Sequence, residues 1–401
     1  IYTGEDTLSL HDALPIFTNS GLIEGLVDPL ADGISMFAFD AQDTSAIAGI
    51  GSVTNQTGGT IRGNRFGIIL SGGGSVDNAG TIIGGNTNSA NLSGLGGGIL
   101  IQGQDGFPDK DALVTNTGTI TGGNGVNFGG SLISATLNNS GAITGTLGDA
   151  VAGNTSTRIA ITNQAGGTIT GARSGIYGEF APLSVNNAGT IRGNGTNGTF
   201  NRTDAGVIVV QPGSSIVNSG TISGQIFGIT TSYLVEAGTG NFLGLARGTS
   251  VTNSGTIRGD TNDGVRLMGG GSVSNSGLIE GLAGGGSDGV SVFAFEGQDL
   301  TGVSRIGTVT NQVGGTIRGN RFGIILSGGG TVANDGLIRG NSGGLLIQGA
   351  GVPGNYAATL INRGTITPAS NAAGRFMKGT AFRISLNTPG AILQPQPPPW
   401  A

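Results

Sequence analysis

The stretch from Val53 to Gly74, VTNQTGGTIRGNRFGIILSGGG, holds every part of a unit that recurs along the chain. Its skeleton is Val-x-Asn, then Gly-Thr-Ile-x-Gly, then Gly-Ile-x-Leu followed by glycines. Three short runs of alternating apolar and polar residues are divided by Gly and Asn, which turn a backbone at least steric cost. A unit this short has no second layer on which to bury its apolar face. Stacked on copies of itself it has one, and this constrains the chain to a solenoid.

The Asn that closes the first run counts the units: Asn19, Asn55, Asn78, Asn116, Asn139, Asn163, Asn187, Asn218, Asn253, Asn275, Asn311, Asn334 and Asn362. Half of the intervals fall at 22 to 24 residues and the rest are longer, so the short value is the coil and the excess is loop. A larger period lies above this one. Asn19, Asn55 and Asn78 map onto Asn275, Asn311 and Asn334 with one offset of 256, and the block 17–116 returns as 273–362. Gly51 to Gly74 and Gly307 to Gly330 differ only at Ser52/Thr308 and Thr57/Val313.

In each coil the first strand puts Val53 and Asn55 on one face, the second points Ile61 inward between Thr60 and Arg62, and the third points Ile68 and Leu70 inward and Ile69 outward. The inward set recurs as Val76, Ile82 and Ile99, as Val185 and Ile191, and as Val251, Ile257 and Val265. The pattern predicts an all-β, right-handed, single-stranded parallel β-helix of about 13 coils of 22–24 residues with loop insertions. The ladder Asn is expected in a left-handed conformation with its amide stacked on those above and below. Excess residues fall at two corners only. Asp40 to Ile50, Gln104 to Asp111, Ser232 to Arg247 and Glu296 to Ile306 follow third strands; Gly85 to Leu95 and Asn194 to Thr203 follow second strands.

Residues 17–388 are assigned to this helix. Residues 1–16 fit neither the repeat nor a signal peptide, and SLHDALPI resembles translated adapter read-through, so this segment is expected to be non-native, with an N-terminal cap as the other reading. Residues 389–401, PGAILQPQPPPWA, are expected to form a Pro-rich linker or a truncated end.

A net charge of −5 with only Lys110 and Lys378 as lysines argues against nucleic acid, which needs a basic face. Zero Cys excludes disulfides, thiol catalysis and thiolate metal sites. No run of 18 apolar residues is present to span a membrane as a helix.

The repeats Val251 to Gly259, VTNSGTIRG, with Leu137 to Gly145 and Val185 to Gly193, resemble the β-helical passenger domains of bacterial autotransporters. The resemblance implies a surface-exposed or secreted, outer-membrane-anchored, adhesin-like stalk without enzymatic activity, whose transmembrane barrel is not in this chain. Glycans or host and bacterial surface molecules are the partners it implies. The alternative is a glycan-binding or glycan-cleaving β-helix, such as a secreted lyase or hydrolase or a phage tail fibre.

Cleavage needs converging carboxylates and bases. Asp40 with Asp43, Glu296 with Asp299, and the loop Asp105, Asp109, Lys110, Asp111 come nearest, and they read as solvated loop charges. The last loop lacks the spacing of a calcium motif. No catalytic, cofactor-binding or metal residue is assigned, and no cofactor is expected. The residues after the inward Ile, from Glu24 and Arg62 through Arg192, Arg258, Glu280, Arg318 and Arg339 to Thr367, form an outer column expected to balance charge along the ladder. Arg258-Gly259-Asp260 reads as a repeat corner with Asp in place of Asn, because Arg-Gly-Asn stands at the equivalent corners, such as Arg62-Gly63-Asn64. Outward Thr pairs such as Thr119/Thr121, Thr168/Thr170 and Thr365/Thr367 are too interrupted for a flat ice-matching array. Phe37, Phe39, Phe293 and Phe295 are expected to cover the base of an insertion, and the sequons at Asn154, Asn197 and Asn201 follow from an Asn-rich composition.

Overall fold

The structure, a computed structural model, describes residues 16–36, 50–85, 88–89, 94–103, 111–199, 202–235, 242–293, 306–347, 358–368, 374–376 and 382–386. Three parallel sheets of 14, 13 and 13 strands run along its length, and in each sheet every strand but the two outermost pairs with the strand one coil earlier and one coil later. No helix occurs among the described residues. The chain is a parallel β-helix, as the repeat predicts, with the first sheet extending from Ile16–Asn19 to Phe382–Leu386.

Pairing is in register, so equivalent residues of successive coils lie over one another about 4.8 Å apart. Ile61, Ile82, Ile120, Ile143, Ile169, Ile191, Ile222, Ile257, Ile279, Ile317 and Ile338 form one continuous column in the second sheet. Each is fully buried. Such burial contributes roughly 2–3 kcal/mol per side chain against the entropy of ordering a coil. The single core cluster that contains this column also takes in the inward residues of the other two sheets.

The glycine that opens many third strands has a packing cause. A Cβ at Gly67 would lie 2.5 Å from Ile82 Cγ2 of the next coil and 2.7 Å from the Gly98 carbonyl. The branched Ile and the bare Gly are therefore two halves of one contact.

All thirteen counted Asn residues join one hydrogen-bonded ladder at the end of the first strand. The Nδ2 of each donates to the Oδ1 of the next, in twelve links of 2.7 to 2.9 Å from Asn19 to Asn362. The second amide hydrogen is shared between two backbone carbonyls, as Asn55 does with Gly59 and Thr81, both at 3.2 Å. The expected left-handed conformation is corrected here. Each Asn is the last residue of a strand and is paired in register with its neighbours, for example Asn55 with Asn19 and Asn78. An extended backbone aims the side chain into the interior, where the amide can lie along the stacking direction.

The insertions leave from the two corners anticipated. Asn88–Ser89 with Gly94–Leu95 and Gly198–Thr199 with Arg202–Thr203 form antiparallel hairpins after second strands, and Tyr233–Val235 with Phe242–Leu245 forms one after a third strand. Asp40, Asp43, Asp105, Asp109, Lys110, Glu296, Asp299, Phe37, Phe39, Phe295 and Asn201 lie outside the described residues.

Candidate functional site

The outer column of the second sheet runs as the spacing predicts, in register from Glu24 and Arg62 to Arg339 and Thr367. Its charges are partly tied up in pairs. Arg62 lies 3.8 Å from Glu24, and Arg318 Nε donates to Glu280 Oε2 at 2.7 Å. Arg258 departs from the expected alternation: its Nε donates to Asp260 Oδ1 at 2.6 Å, while Arg192 Nη2 donates to Asp260 Oδ2 at 2.8 Å. Asp260 thus faces two guanidiniums of its own chain, which supports reading Arg258-Gly259-Asp260 as a repeat corner. Thr119 and Thr168 are exposed, with Thr121 and Thr170 half-buried beside them, as outward residues should be. Asp111 opens the Asp111–Asn116 strand, is exposed, and accepts a 2.6 Å bond from Ser134 Oγ. Asn154 and Asn197 are both exposed.

The third sheet is different. Its outward column passes in register through Ile69, Leu100, Asn127, Ala152, Tyr177, Ile208, Thr230, Arg266, Ser291, Ile325 and Leu346. Most of these residues are buried although they point away from the core, Ile208 completely. Separate apolar clusters form on this face around Tyr177, Ile208 and Phe227 and around Phe322, Ile325 and Leu346.

Between those clusters the face turns polar. Asp263 and Asp288 each precede a third strand by two residues, and Arg266 and Ser291 are outward residues of the two strands so introduced. The Asp288 carboxylate is 1% exposed and holds Arg321 through Nε to Oδ1 at 3.1 Å and Nη2 to Oδ2 at 2.6 Å. Its Oδ1 also accepts the Phe322 backbone N–H at 3.0 Å. Asp263 accepts the Asp288 N–H at 2.8 Å and the Ser291 hydroxyl. Arg266 lies over the Phe227 ring, 4.9 Å from its centroid.

Burial, reinforced by repulsion from Asp288, pushes the Asp263 carboxyl up to about 7. Asp288 is also raised by burial, against the opposing pull of Arg321, while its hydrogen bonds raise the Arg321 guanidinium. Asp263, Arg266, Ser291 and Arg321 border a cavity of about 430 Å³ on the outer face of the third sheet, with Asn262, Gly286, Ser327, Ile325 and Leu346 completing its wall.

The first copy of the duplicated block repeats part of this arrangement. Arg65 grips Asp32 at 3.0 and 2.5 Å, the Phe66 N–H bonds Asp32 at 3.1 Å, and Arg65 lies 5.8 Å from the Phe66 ring centroid. Arg321 stands at the same 5.8 Å from Phe322. The serines differ: Ser35 donates to Asp32 of its own coil at 2.6 Å, whereas Ser291 donates to Asp263 of the preceding coil.

Sequence reasoning passes over Asp263, Arg266, Asp288 and Arg321. A signal for them is present in the triplets Asp32-Gly33-Ile34, Asp263-Gly264-Val265 and Asp288-Gly289-Val290, where an Asp recurs at one corner. Alone, Asp-Gly reads as a turn.

Three registered sheets closed around an aliphatic core and an Asn ladder define a structural β-helical protein. No family model, no curated protein and no solved structure matches this chain.

Proposed function

We propose that the chain is a rigid, non-enzymatic display rod, the adhesin-like passenger part of an autotransporter-type protein, exposed at a bacterial cell surface or secreted. The observation that carries this reading is the unbroken Asn ladder, which ties thirteen coils into one stiff unit, while the described insertion hairpins leave from two corners. A rod that presents loops along fixed edges can engage several weak surface contacts at once, and linked contacts add through effective concentration. The repeat motif VTNSGTIRG and its variants support the passenger assignment. No helix among the described residues is long and apolar enough to cross a membrane, which is compatible with a segment displayed outside one.

The test is surface labelling of intact cells of the native host with an antibody raised to the purified chain. Labelling of unbroken cells, or recovery of the chain in the culture medium, supports display. Recovery only from the cytosol overturns it.

A further inference from the structure

We propose that the cavity on the outer face of the third sheet binds a carboxylate-bearing sugar, with the sugar carboxylate on the Arg321 guanidinium and its C–H face on Ile325 and Leu346. This inference does not depend on where the rod is displayed.

A volume of about 430 Å³ lies within the range of small-molecule sites and exceeds what one sugar ring needs. The charges are layered. Asp288 is 1% exposed and lies outside the wall, whereas Arg321 is 40% exposed and lines it. Asp263, the one carboxyl in the wall, is buried and is capped by the Asp288 N–H and the Ser291 hydroxyl, so an entering ligand meets the cation first. Asp288 occupies Nε and Nη2 of Arg321, which fixes the plane of the guanidinium and leaves the Nη1 side for a ligand. A guanidinium held in advance loses little freedom when it grips a carboxylate. Ser327 and Asn262 bring a hydroxyl and an amide that can donate to and accept from sugar hydroxyls, and Ser291, whose proton goes to Asp263, can accept. Ile325 and Leu346 supply an apolar patch in a wall that is otherwise largely polar, which suits the mixed faces of a pyranose. A simple inorganic anion would use the guanidinium and waste the rest of the wall.

The chain carries its own control. Arg65 makes the same clamp on Asp32 and takes no part in this cavity.

The experiment is isothermal titration of the full chain with D-glucuronate, with glucose, which lacks only the carboxylate, and with acetate, which lacks the ring. Saturable glucuronate binding, with glucose and acetate each at least roughly tenfold weaker, supports the site. Arg321→Lys should weaken glucuronate by roughly tenfold or more because the planar fork is lost, while Arg65→Lys should bind as the unaltered chain does. Ser327→Val, which adds bulk to the cavity wall without touching an ion pair, should also abolish binding. Absence of glucuronate binding, equal loss in the Arg65 and Arg321 variants, or full binding by Ser327→Val overturns the proposal. Acetate as tight as glucuronate overturns the sugar part of it.

Discussion

Asn163 donates one amide hydrogen to Asn187 Oδ1 at 2.8 Å and shares the other between Gly167 and Thr190, while its own oxygen accepts from Asn139 at 2.8 Å. Asn163→Ala therefore leaves a buried donor on one neighbour and a buried acceptor on the other. Each such group costs about 1–3 kcal/mol, so the loss in urea unfolding should be roughly 3 kcal/mol or more. Asn19 has a single ladder neighbour, and Asn19→Ala should cost less in the same assay. A second residue-scale test concerns protons. In the unfolded chain Asp263 loses its proton near 3.8, but in the fold it does so at about 7. Stability tied to this group is thus complete at acid pH, falls as pH rises between those values, and is lost above about 7, at no more than about 1.4 kcal/mol per pH unit. Asp263→Asn keeps an oxygen for the Asp288 N–H and removes the charge. It should raise the melting temperature at about pH 8 and change it little at about pH 4, as read by circular dichroism.

At the level of strands, a recurring constraint is the meeting of a third-strand glycine with a second-strand isoleucine. A Cβ on Gly344 would collide with Ile366 Cγ2, whereas its next neighbours, the Ile338 carbonyl and the Thr367 N–H, would lie at 3.4 Å. Gly344→Ala should cost about 1–3 kcal/mol. Ile366→Leu removes the branch at Cβ, so a double-mutant cycle in urea should show a favourable coupling between the two changes. Much of this scale was legible beforehand. Period-two alternation identified Val53, Ile61, Ile68 and Leu70 as inward, and the spacing of Asn placed every rung. Alternation states which way a side chain points and not whether water reaches it. For that reason Ile69, Ile208 and Ile325 could be read as outward, while their burial on the third sheet could not. The Asp263 and Asp288 cluster was hidden for a related reason: it forms between residues of successive coils 25 positions apart, across a corner whose loop length varies.

For the molecule as a whole, the coil is the unit that can be added or removed. Removing Thr117 to Asn139 deletes one period of 23 residues and brings Asn116 beside Ser140, which restores the local sequence pattern and the ladder. This shortened chain should unfold in one cooperative urea transition with circular dichroism of an intact β-structure. Deleting about half of those residues should abolish that transition, because every side chain downstream would be rotated out of register. Scattering in solution should give an elongated particle with a stacked length of roughly 60 Å, from thirteen coils at about 4.8 Å.

Every amide in the ladder points the same way, and this makes the rod an arrow. The row runs from the oxygen of Asn19, which also accepts the Gly21 N–H, to the nitrogen of Asn362, over which the first sheet adds one more strand with Leu386 at the rung position. Two such rows can be continued only tip to tail. Meeting tip to tip would set oxygen against oxygen, and meeting tail to tail would set N–H against N–H. Any further coil that continues this row must therefore carry its amide in the same sense, so the ladder gives the rod one direction along its axis.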